Sequence, residues 1–151
     1  MKLYHYLEEN SILNNGCKWN KILVVDDLAF NLIAIELMIK KKFNLQIDKA
    51  FSGEEAIEKV KQKLNNKCWG SYKLILMDYY MPPGINGGEA SKKIKEILKQ
   101  ERGSHIAWLT SQKEGDFDFN ENMKNFDQCF SKPILPVEIG DLITHLITEL
   151  E

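Results

Sequence analysis

The sequence predicts an α/β fold in which a doubly wound, five-stranded parallel sheet carries helices on both faces. Three observations predict this class. Short apolar runs rich in branched side chains alternate five times with helix-like segments along the 151 residues. The runs that precede Asp26 and Asp78 are apolar almost throughout, as in strands that are buried on both faces. Polar side chains that can carry chemistry directly follow four of the five runs, where parallel strands would end at one rim.

Two strand–helix units are predicted before the polar loop "NNKCWGSY". The runs "KILVVDD" and "LQIDKAF" predict strands one and two. Between them, "LAFNLIAIELMIKKK" has no Gly or Pro and predicts a helix. Ser52 is expected to cap the second helix, and Glu55 three residues later would complete a capping box. One side of this helix is apolar: Ala56, Ile57, Val60 and Leu64.

Three further units follow that loop. The runs "KLILMD" and "HIAWLT" predict strands three and four, and "DQCFS" predicts a weaker strand five. The polar segment "QKEGDFDFNENMKNF", which contains Gly115, predicts a loop with a short helix. The other two helices have apolar residues at helical spacing: Ala90, Ile94, Ile97 and Leu98 in the third, and Ile139, Leu142, Ile143, Leu146, Ile147 and Leu150 in the last.

Length and charge limit the class of protein. A chain of 151 residues predicts one domain, which we place at residues 21–151 after an N-terminal extension or linker at residues 1–20. Twenty basic side chains against 22 acidic ones give a formal net charge of -2. This balance favours neither nucleic acid nor an anionic membrane surface as a partner. The pattern does not predict an oligomeric state.

The cysteines and the apolar runs indicate a cellular compartment. Cys17, Cys68 and Cys129 are odd in number and widely spaced, which argues against a disulfide framework or a zinc site. The N-terminal residues lack the apolar core of a secretory signal. No run approaches the ~18 apolar residues of a membrane span. We therefore expect a cytoplasmic location.

The polar side chains at the predicted strand ends form one constellation. Asp26 and Asp27 follow strand one, Asp78 follows strand three, Thr110 follows strand four and Lys132 follows strand five. Three carboxylates held together repel one another and need a cation, and oxygen ligands suit Mg²⁺ or Mn²⁺. A carboxylate is a known nucleophile toward phosphorus, and a lysine supplies a positive charge for the transferred group. The set therefore predicts phosphoryl transfer.

Each of these residues also has an ordinary structural explanation when it is taken alone. The Asp26–Asp27 pair can cap the first helix, and Asp78 can form a turn. Thr110 can be a branched strand residue, and Lys132 with the following proline can be a surface turn. Their joint occurrence at the ends of four strands favours a functional site over these separate explanations.

At this point the sequence resembles the receiver domain of two-component response regulators, which has a flavodoxin-like (βα)5 fold. The resemblance covers about residues 21 to 150. It rests on "ILVVDD", "LILMDYYMP", "IAWLTS" and "FSKPI", which occur in the family's order and spacing. The long loop before strand three and the Lys/Asn/Ile-rich composition are similar to receivers of eukaryotic hybrid histidine kinases.

The resemblance implies a role for each residue at the rim. Asp78 would be the phosphoacceptor, and Lys132 and Thr110 would contact the phosphoryl group. The Mg²⁺ ligands would be Asp78 and Asp27, Asp26 directly or through water, and the backbone carbonyl of Tyr80. The peptide bond between Lys132 and the following proline would be cis.

The implied function is that of a switch in a His-Asp phosphorelay. A histidine kinase or a histidine phosphotransfer protein would donate the phosphoryl group, and the domain would catalyse its own aspartyl phosphorylation and dephosphorylation. The alternative is a pseudo-receiver, which uses the same fold as an interaction module without phosphate chemistry. A haloacid dehalogenase-type phosphatase needs an aspartate two residues after the nucleophile, where this chain has Tyr80.

Several positions differ from the family's pattern. The loop after Asp78 has one extra residue, and Asn86 stands where the family has aspartate. The family's switch aromatic is replaced by Cys129, and Trp108 stands where a small residue is common. We hypothesise that the Trp108 side chain fills the space left by Cys129, which requires both to lie on the same face of the sheet.

Two further positions lie where the family tunes hydrolysis of the acyl phosphate. They are Tyr80, two residues after Asp78, and Gln112, two residues after Thr110. A bulky Tyr80 would hinder the attacking water and prolong the signal, unless its side chain points into solvent and has no effect.

Overall fold

The computed structural model describes residues 20–65, 71–98 and 104–148. The strands are β1 (Ile22–Val25), β2 (Asp48–Ala50), β3 (Leu74–Asp78), β4 (His105–Thr110) and β5 (Gln128–Ser131). The helices are α1 (Ala29–Phe43), α2 (Gly53–Asn65), α3 (Gly87–Ile97), α4 (Phe119–Met123) and α5 (Pro136–Thr148). Strands and helices alternate along the chain in the order that the sequence predicts.

The five strands form one parallel sheet in the order β2-β1-β3-β4-β5. The chain moves outward from β1 in both directions, so the strand order reverses between β1 and β3. The doubly wound parallel sheet is confirmed. β2 is shorter than the predicted run, because its ladder with β1 begins only where Asp48 pairs with Leu23. Ligands of such sheets bind beyond the carboxyl ends of the strands at the reversal point.

The two faces of the sheet bury separate hydrophobic clusters. Ile75 packs with side chains of α2 and α3, whereas its neighbour Leu76 packs with side chains of α1 and α5. Successive strand residues point to opposite faces, so a strand covered on both sides needs apolar residues at every position. This explains why all four residues of β1 are apolar and buried.

The helices bury the predicted faces. The buried residues of these faces are Ala56, Ile57 and Val60 in α2, Ala90 and Ile94 in α3 with Leu98 just after it, and Ile139, Leu142 and Ile143 in α5. The side chains of Ile147 and Leu150, and the predicted extension up to residue 19, lie outside the described residues. In the described ranges no helix is both long and apolar enough to cross a membrane.

The predicted capping box at the start of α2 is present, with its second arm moved by one residue. The Ser52 hydroxyl accepts a hydrogen bond from the Glu55 N–H at 3.1 Å. The Glu55 carboxylate accepts one from the N–H of Phe51, the residue before the cap, at 2.9 Å. Both bonds satisfy backbone donors that have no partner within the helix.

A polar network closes the edge of the sheet where the strands begin. The Tyr72 hydroxyl donates to Asp48 Oδ2 at 2.5 Å, and the Asn20 side chain donates to Asp48 Oδ1 at 2.8 Å. The Lys63 ammonium lies 3.6 Å from the same carboxylate and 3.9 Å from the centre of the Tyr72 ring. Burial favours the neutral form of this lysine and lowers the pKa of Lys63 to about 8.

Replacing Tyr72 with phenylalanine is expected to lower the free energy of unfolding by about 1–2 kcal/mol at neutral pH, because it removes a hydrogen bond to a charged group. Burial alone would raise the pKa of Asp48, but the hydrogen bonds from Tyr72 and Asn20 hold it below its ordinary value of 3.8. A carboxyl group whose pKa is lowered by folding stabilises the fold above its unfolded-state pKa. That contribution disappears as the pH falls through the folded-state pKa.

The difference in stability between the two proteins should therefore shrink below pH 3.8, and urea denaturation over a pH series measures it. Tyr80→Phe is the matched control, because the Tyr80 side chain is 75 % exposed and no change in stability is expected. A difference that stays constant through the acidic range would contradict this account of Asp48.

Candidate phosphoryl-transfer site

The strand register places the predicted residues at the same end of neighbouring strands. Val25 of β1 pairs with Met77 of β3, so the residues that follow them, Asp26 and Asp78, are level with each other. On the other side, Asp78 pairs with Leu109 of β4, directly before Thr110. The next strand continues this rim, because the residue after β5 is Lys132.

Asp26 is buried and makes three polar contacts. The exposed fraction of this residue is only 1 %. One of its oxygens accepts the N–H of Leu28 at 2.9 Å, and the other accepts the Asn31 side chain at 3.0 Å and lies 3.3 Å from the Lys132 ammonium. Sequence reasoning missed Asn31. The available signal was one amide side chain in an otherwise apolar stretch of α1.

Asp78 ends β3 in a buried position beside a cation. Its Oδ1 atom lies 2.7 Å from the Lys132 ammonium and accepts the N–H of Tyr79 at 2.9 Å. Burial raises the pKa of Asp78, and the nearby charge of Asp26 adds to this, although Lys132 and the Tyr79 N–H oppose it. The unfavourable burial of this carboxylate is typical of a functional group rather than of a packing residue.

Lys132 connects the two buried carboxylates. Burial by itself would lower the pKa of Lys132, but the hydrogen bonds and charges of Asp78 and Asp26 outweigh it and raise that pKa. The lysine is therefore a permanent ammonium at neutral pH. The peptide bond from Lys132 to Pro133 is cis, as the family resemblance implied. The N–H of Lys132 donates to the carbonyl of Thr110 at 2.9 Å, which extends the β4–β5 pairing to the rim.

Three carboxylates converge on one point. Ligand oxygens of Asp26, Asp27 and Asp78 all lie within 4.8 Å of one another, and Asp27 is the most accessible of the three to solvent. An all-oxygen set of this charge fits a hard divalent cation such as Mg²⁺ and does not suit a soft metal. Tyr80 lies two residues after Asp78, in the loop that follows β3. That its backbone carbonyl is a further cation ligand stays a prediction.

Thr110 is buried at the end of β4, with an exposed fraction of 3 %. Its hydroxyl oxygen accepts a hydrogen bond from the N–H of Gln112 at 2.9 Å. A hydroxyl that accepts from the backbone keeps its own proton for another acceptor. Thr110 is thus positioned on the strand next to Asp78, with a donor proton to offer.

Two hydrogen bonds that were not predicted from the sequence fix the extended loop after Asp78. The N–H of Ile85 donates to the Glu54 carboxylate at 2.7 Å, which fixes the middle of the loop to the start of α2. Asn86 caps α3, because its side-chain oxygen accepts the N–H of Glu89 at 2.9 Å. Asn86, at the position where the family has aspartate, therefore caps α3.

Gly87 lies against the backbone of the candidate nucleophile. Its N–H donates to the carbonyl of Tyr79 at 2.7 Å. A Cβ atom at this position would lie 1.9 Å from the carbonyl oxygen of Asp78, a distance that no side chain tolerates. The close approach of α3 to β3 therefore requires glycine here.

Trp108 and Cys129 lie side by side. They are register partners in β4 and β5, and both side chains join the hydrophobic cluster on the α3 side of the sheet. The Trp108 ring is fully buried, stacks on Phe126 at 5.3 Å between ring centres, and contacts Tyr79 at 5.5 Å. Both side chains therefore lie on the same face of the sheet, as the hypothesis that Trp108 fills the space left by Cys129 requires.

The chain belongs to the response regulator receiver domain family, whose sequence model matches residues 22–144. Comparison with curated proteins gave no match. The fold is similar to that of a CheY-like receiver domain protein from Methanospirillum hungatei, with a TM-score of 0.68 and 19% identity over 87% of this chain and 96% of that one. It is also similar to chemotaxis protein CheY4 of Vibrio cholerae, with a TM-score of 0.67 and 19% identity over 84% of this chain and 98% of that one.

A third similar structure is the CheX-CheY-BeF3-Mg complex from Borrelia burgdorferi. It has a TM-score of 0.67 and 20% identity, over 85% of this chain and 89% of that one. Identities at this level show a shared fold. The receiver family itself rests on the sequence match, which covers most of the chain.

Proposed function

We propose that this receiver domain, residues 21–151, accepts a phosphoryl group on Asp78 from the phosphohistidine of a histidine kinase or a histidine phosphotransfer protein. One observation carries the proposal. A buried strand-end carboxylate lies 2.7 Å from an ammonium and within 4.8 Å of two further carboxylates. A structural ion pair needs one carboxylate for one lysine. Asp26 shares this lysine, and three carboxylates around one ammonium leave an excess of negative charge that suits a cation accompanying phosphate.

We assign the cation as Mg²⁺, held by Asp27, Asp78, the Tyr80 carbonyl, and Asp26 directly or through water. When bound, it offsets the repulsion between these carboxylates and an incoming phosphoryl group. Asp26 is already fixed by the Leu28 N–H and the Asn31 side chain. These two contacts hold its oxygens in place before any cation arrives, which lowers the entropy lost on binding.

The residues of this chain have distinct roles in the transfer. A carboxylate oxygen of Asp78 forms a bond to phosphorus while the N–P bond of the phosphohistidine breaks, and the leaving imidazole keeps the electron pair and takes up a proton. Lys132 neutralises charge on the carboxylate and on the transferred oxygens. The Thr110 hydroxyl donates a hydrogen bond to one of those oxygens. The absence of a disulfide pattern among the three cysteines is compatible with a cytoplasmic donor.

Intact-protein mass spectrometry tests this function. Incubation with acetyl phosphate and Mg²⁺ is expected to add one phosphoryl group, and the Asp78→Asn variant is expected to add none because it lacks the nucleophile. Removal of Mg²⁺ with a chelator should also prevent the gain. An unmodified wild-type protein that also fails to bind beryllofluoride, a phosphoryl mimic, would favour the pseudo-receiver alternative.

A further inference from the structure

A chain of hydrogen bonds joins the candidate site to α4. The Tyr79 hydroxyl donates to Asn122 Oδ1 at 2.8 Å, and Asn122 Nδ2 donates to Gln112 Oε1 at 3.3 Å. Gln112 in turn donates its N–H to the hydroxyl of Thr110 at 2.9 Å. Tyr79 directly follows Asp78. The carboxamide of Asn122 therefore makes two hydrogen bonds toward the site. One is with Tyr79, the residue after the candidate nucleophile, and the other is with Gln112, which is bonded to the candidate hydroxyl donor Thr110.

The element that carries Asn122 is weakly held. α4 has only five residues, and none of them is buried. Phe119 and Met123 pack partly against the cluster below, and the Lys124–Glu121 pair at 2.9 Å lies on the solvent side. Elements with few buried contacts open at low free energy. The hydrogen bonds of Asn122 to Tyr79 and Gln112 therefore help to fix α4, beside the packing of Phe119 and Met123.

The usual route from the site to the surface is altered in this chain. Cys129 stands at the position of the family's switch aromatic, and the fully buried Trp108 fills the adjacent space. A tryptophan packed against Phe126, Phe119 and Tyr79 has no room to change its rotamer. If Thr110 moves to donate a hydrogen bond to a phosphoryl group on Asp78, Gln112 moves with it, because the Gln112 N–H is bonded to the Thr110 hydroxyl.

We infer that Asn122 is the positioning residue through which the state of Asp78 reaches α4. Its carboxamide accepts a hydrogen bond from Tyr79 and donates one to Gln112, so it responds to any movement of these two residues relative to each other. When Thr110 moves toward the new phosphoryl oxygens, Gln112 moves relative to Tyr79. Asn122 then cannot keep both hydrogen bonds in place, and α4 shifts or loosens. This inference rests on the proposed function, because it requires that Asp78 receive a phosphoryl group.

Hydrogen–deuterium exchange of α4 with and without beryllofluoride and Mg²⁺ tests it. In the wild-type protein the exchange rate of α4 amides is expected to change by about 5-fold or more, the lower end of typical coupling between sites. In Asn122→Ala the change should fall below about 2-fold. Tyr79→Phe, which removes only the hydroxyl, should also reduce the response, and it guards against a folding defect in the first variant.

Glu121→Ala is the matched control. It lies in the same helix and loses its ion pair with Lys124, whereas the hydrogen bonds of Tyr79 and Gln112 to α4 go to Asn122. This variant should keep the full wild-type response, and all three variants should still bind beryllofluoride. A simple weakening of α4 would alter exchange equally with and without the mimic, whereas loss of coupling removes only the difference.

The outcomes separate the two proposals. If the wild-type protein does not bind beryllofluoride, the proposed function fails and the inference fails with it. If it binds and α4 does not respond, or if Asn122→Ala responds like the wild-type protein, the inference alone is overturned.

Discussion

Replacing Lys132 with methionine is expected to slow phosphorylation of Asp78 by acetyl phosphate about 100-fold or more, the usual effect of removing one charge-stabilising group from a transition state. Methionine keeps a long apolar stem, so the change removes mainly the ammonium. That ammonium lies 2.7 Å from Asp78 and 3.3 Å from Asp26. Without it, both the carboxylates and the transferred phosphoryl oxygens lose their only charged donor among the described residues.

The initial rate of the mass increase under acetyl phosphate and Mg²⁺ measures this effect. Lys124→Met is the matched control, because Lys124 pairs with Glu121 on the solvent side of α4 and its loss should leave the rate unchanged. Lys132→Arg should recover little of the rate, since a planar guanidinium does not replace a compact ammonium at a confined site. A Lys132→Met rate within a few-fold of wild type would remove Lys132 from the mechanism.

Replacing Gly87 with alanine is expected to disrupt both the fold and the site, although Gly87 carries no chemistry. The added Cβ would lie 1.9 Å from the Asp78 carbonyl oxygen, which is backbone and has no rotamer to change. Either α3 moves away from β3, or the end of β3 moves together with Asp78, the candidate nucleophile. We expect a loss of about 3 kcal/mol in stability, at the upper end for overpacking, together with a rate of phosphorylation at least about 10-fold lower.

Thermal denaturation and the phosphorylation rate together test the Gly87 prediction. Gly88→Ala is the neighbouring control: its Cβ would meet the Tyr79 ring at 3.1 Å, and a side chain can shift by a few tenths of an ångström. We expect that control to be only mildly affected. Equal behaviour of the two alanine variants would show that the contact with the Asp78 carbonyl is unimportant.

The sequence predicted the sheet and the rim for a definable reason. The inner strands β1, β3 and β4 are covered on both faces and mostly apolar, so the first polar residue after each apolar run marks where the strand ends. Parallel strands end at one edge, and this rule alone brought Asp26, Asp78, Thr110 and Lys132 together. The register places Asp26 level with Asp78, with Thr110 one residue and Lys132 two residues beyond that row at the same end of the sheet. Their roles in catalysis stay predictions that the experiments above address.

Contacts between distant parts of the chain were not predictable in the same way. The bond from Ile85 to Glu54 joins residues 31 apart, and the bond from Tyr79 to Asn122 joins residues 43 apart. Neither contributes to a periodic pattern or to a local cap. Sequence periodicity reports which face of an element is buried, but it carries no information about which polar side chain meets which across a loop.

The sequence by itself determined the class of fold, the order of its elements and the set of residues at the rim, because burial and strand polarity are local properties. The tertiary structure alone decided how that rim is supported. It placed Asn31 on Asp26, brought Gly87 against the Asp78 carbonyl and joined Asn122 to both sides of the site. These features depend on how helices pack on the finished sheet. Such packing is set by the shapes of many side chains at once rather than by any single stretch of sequence.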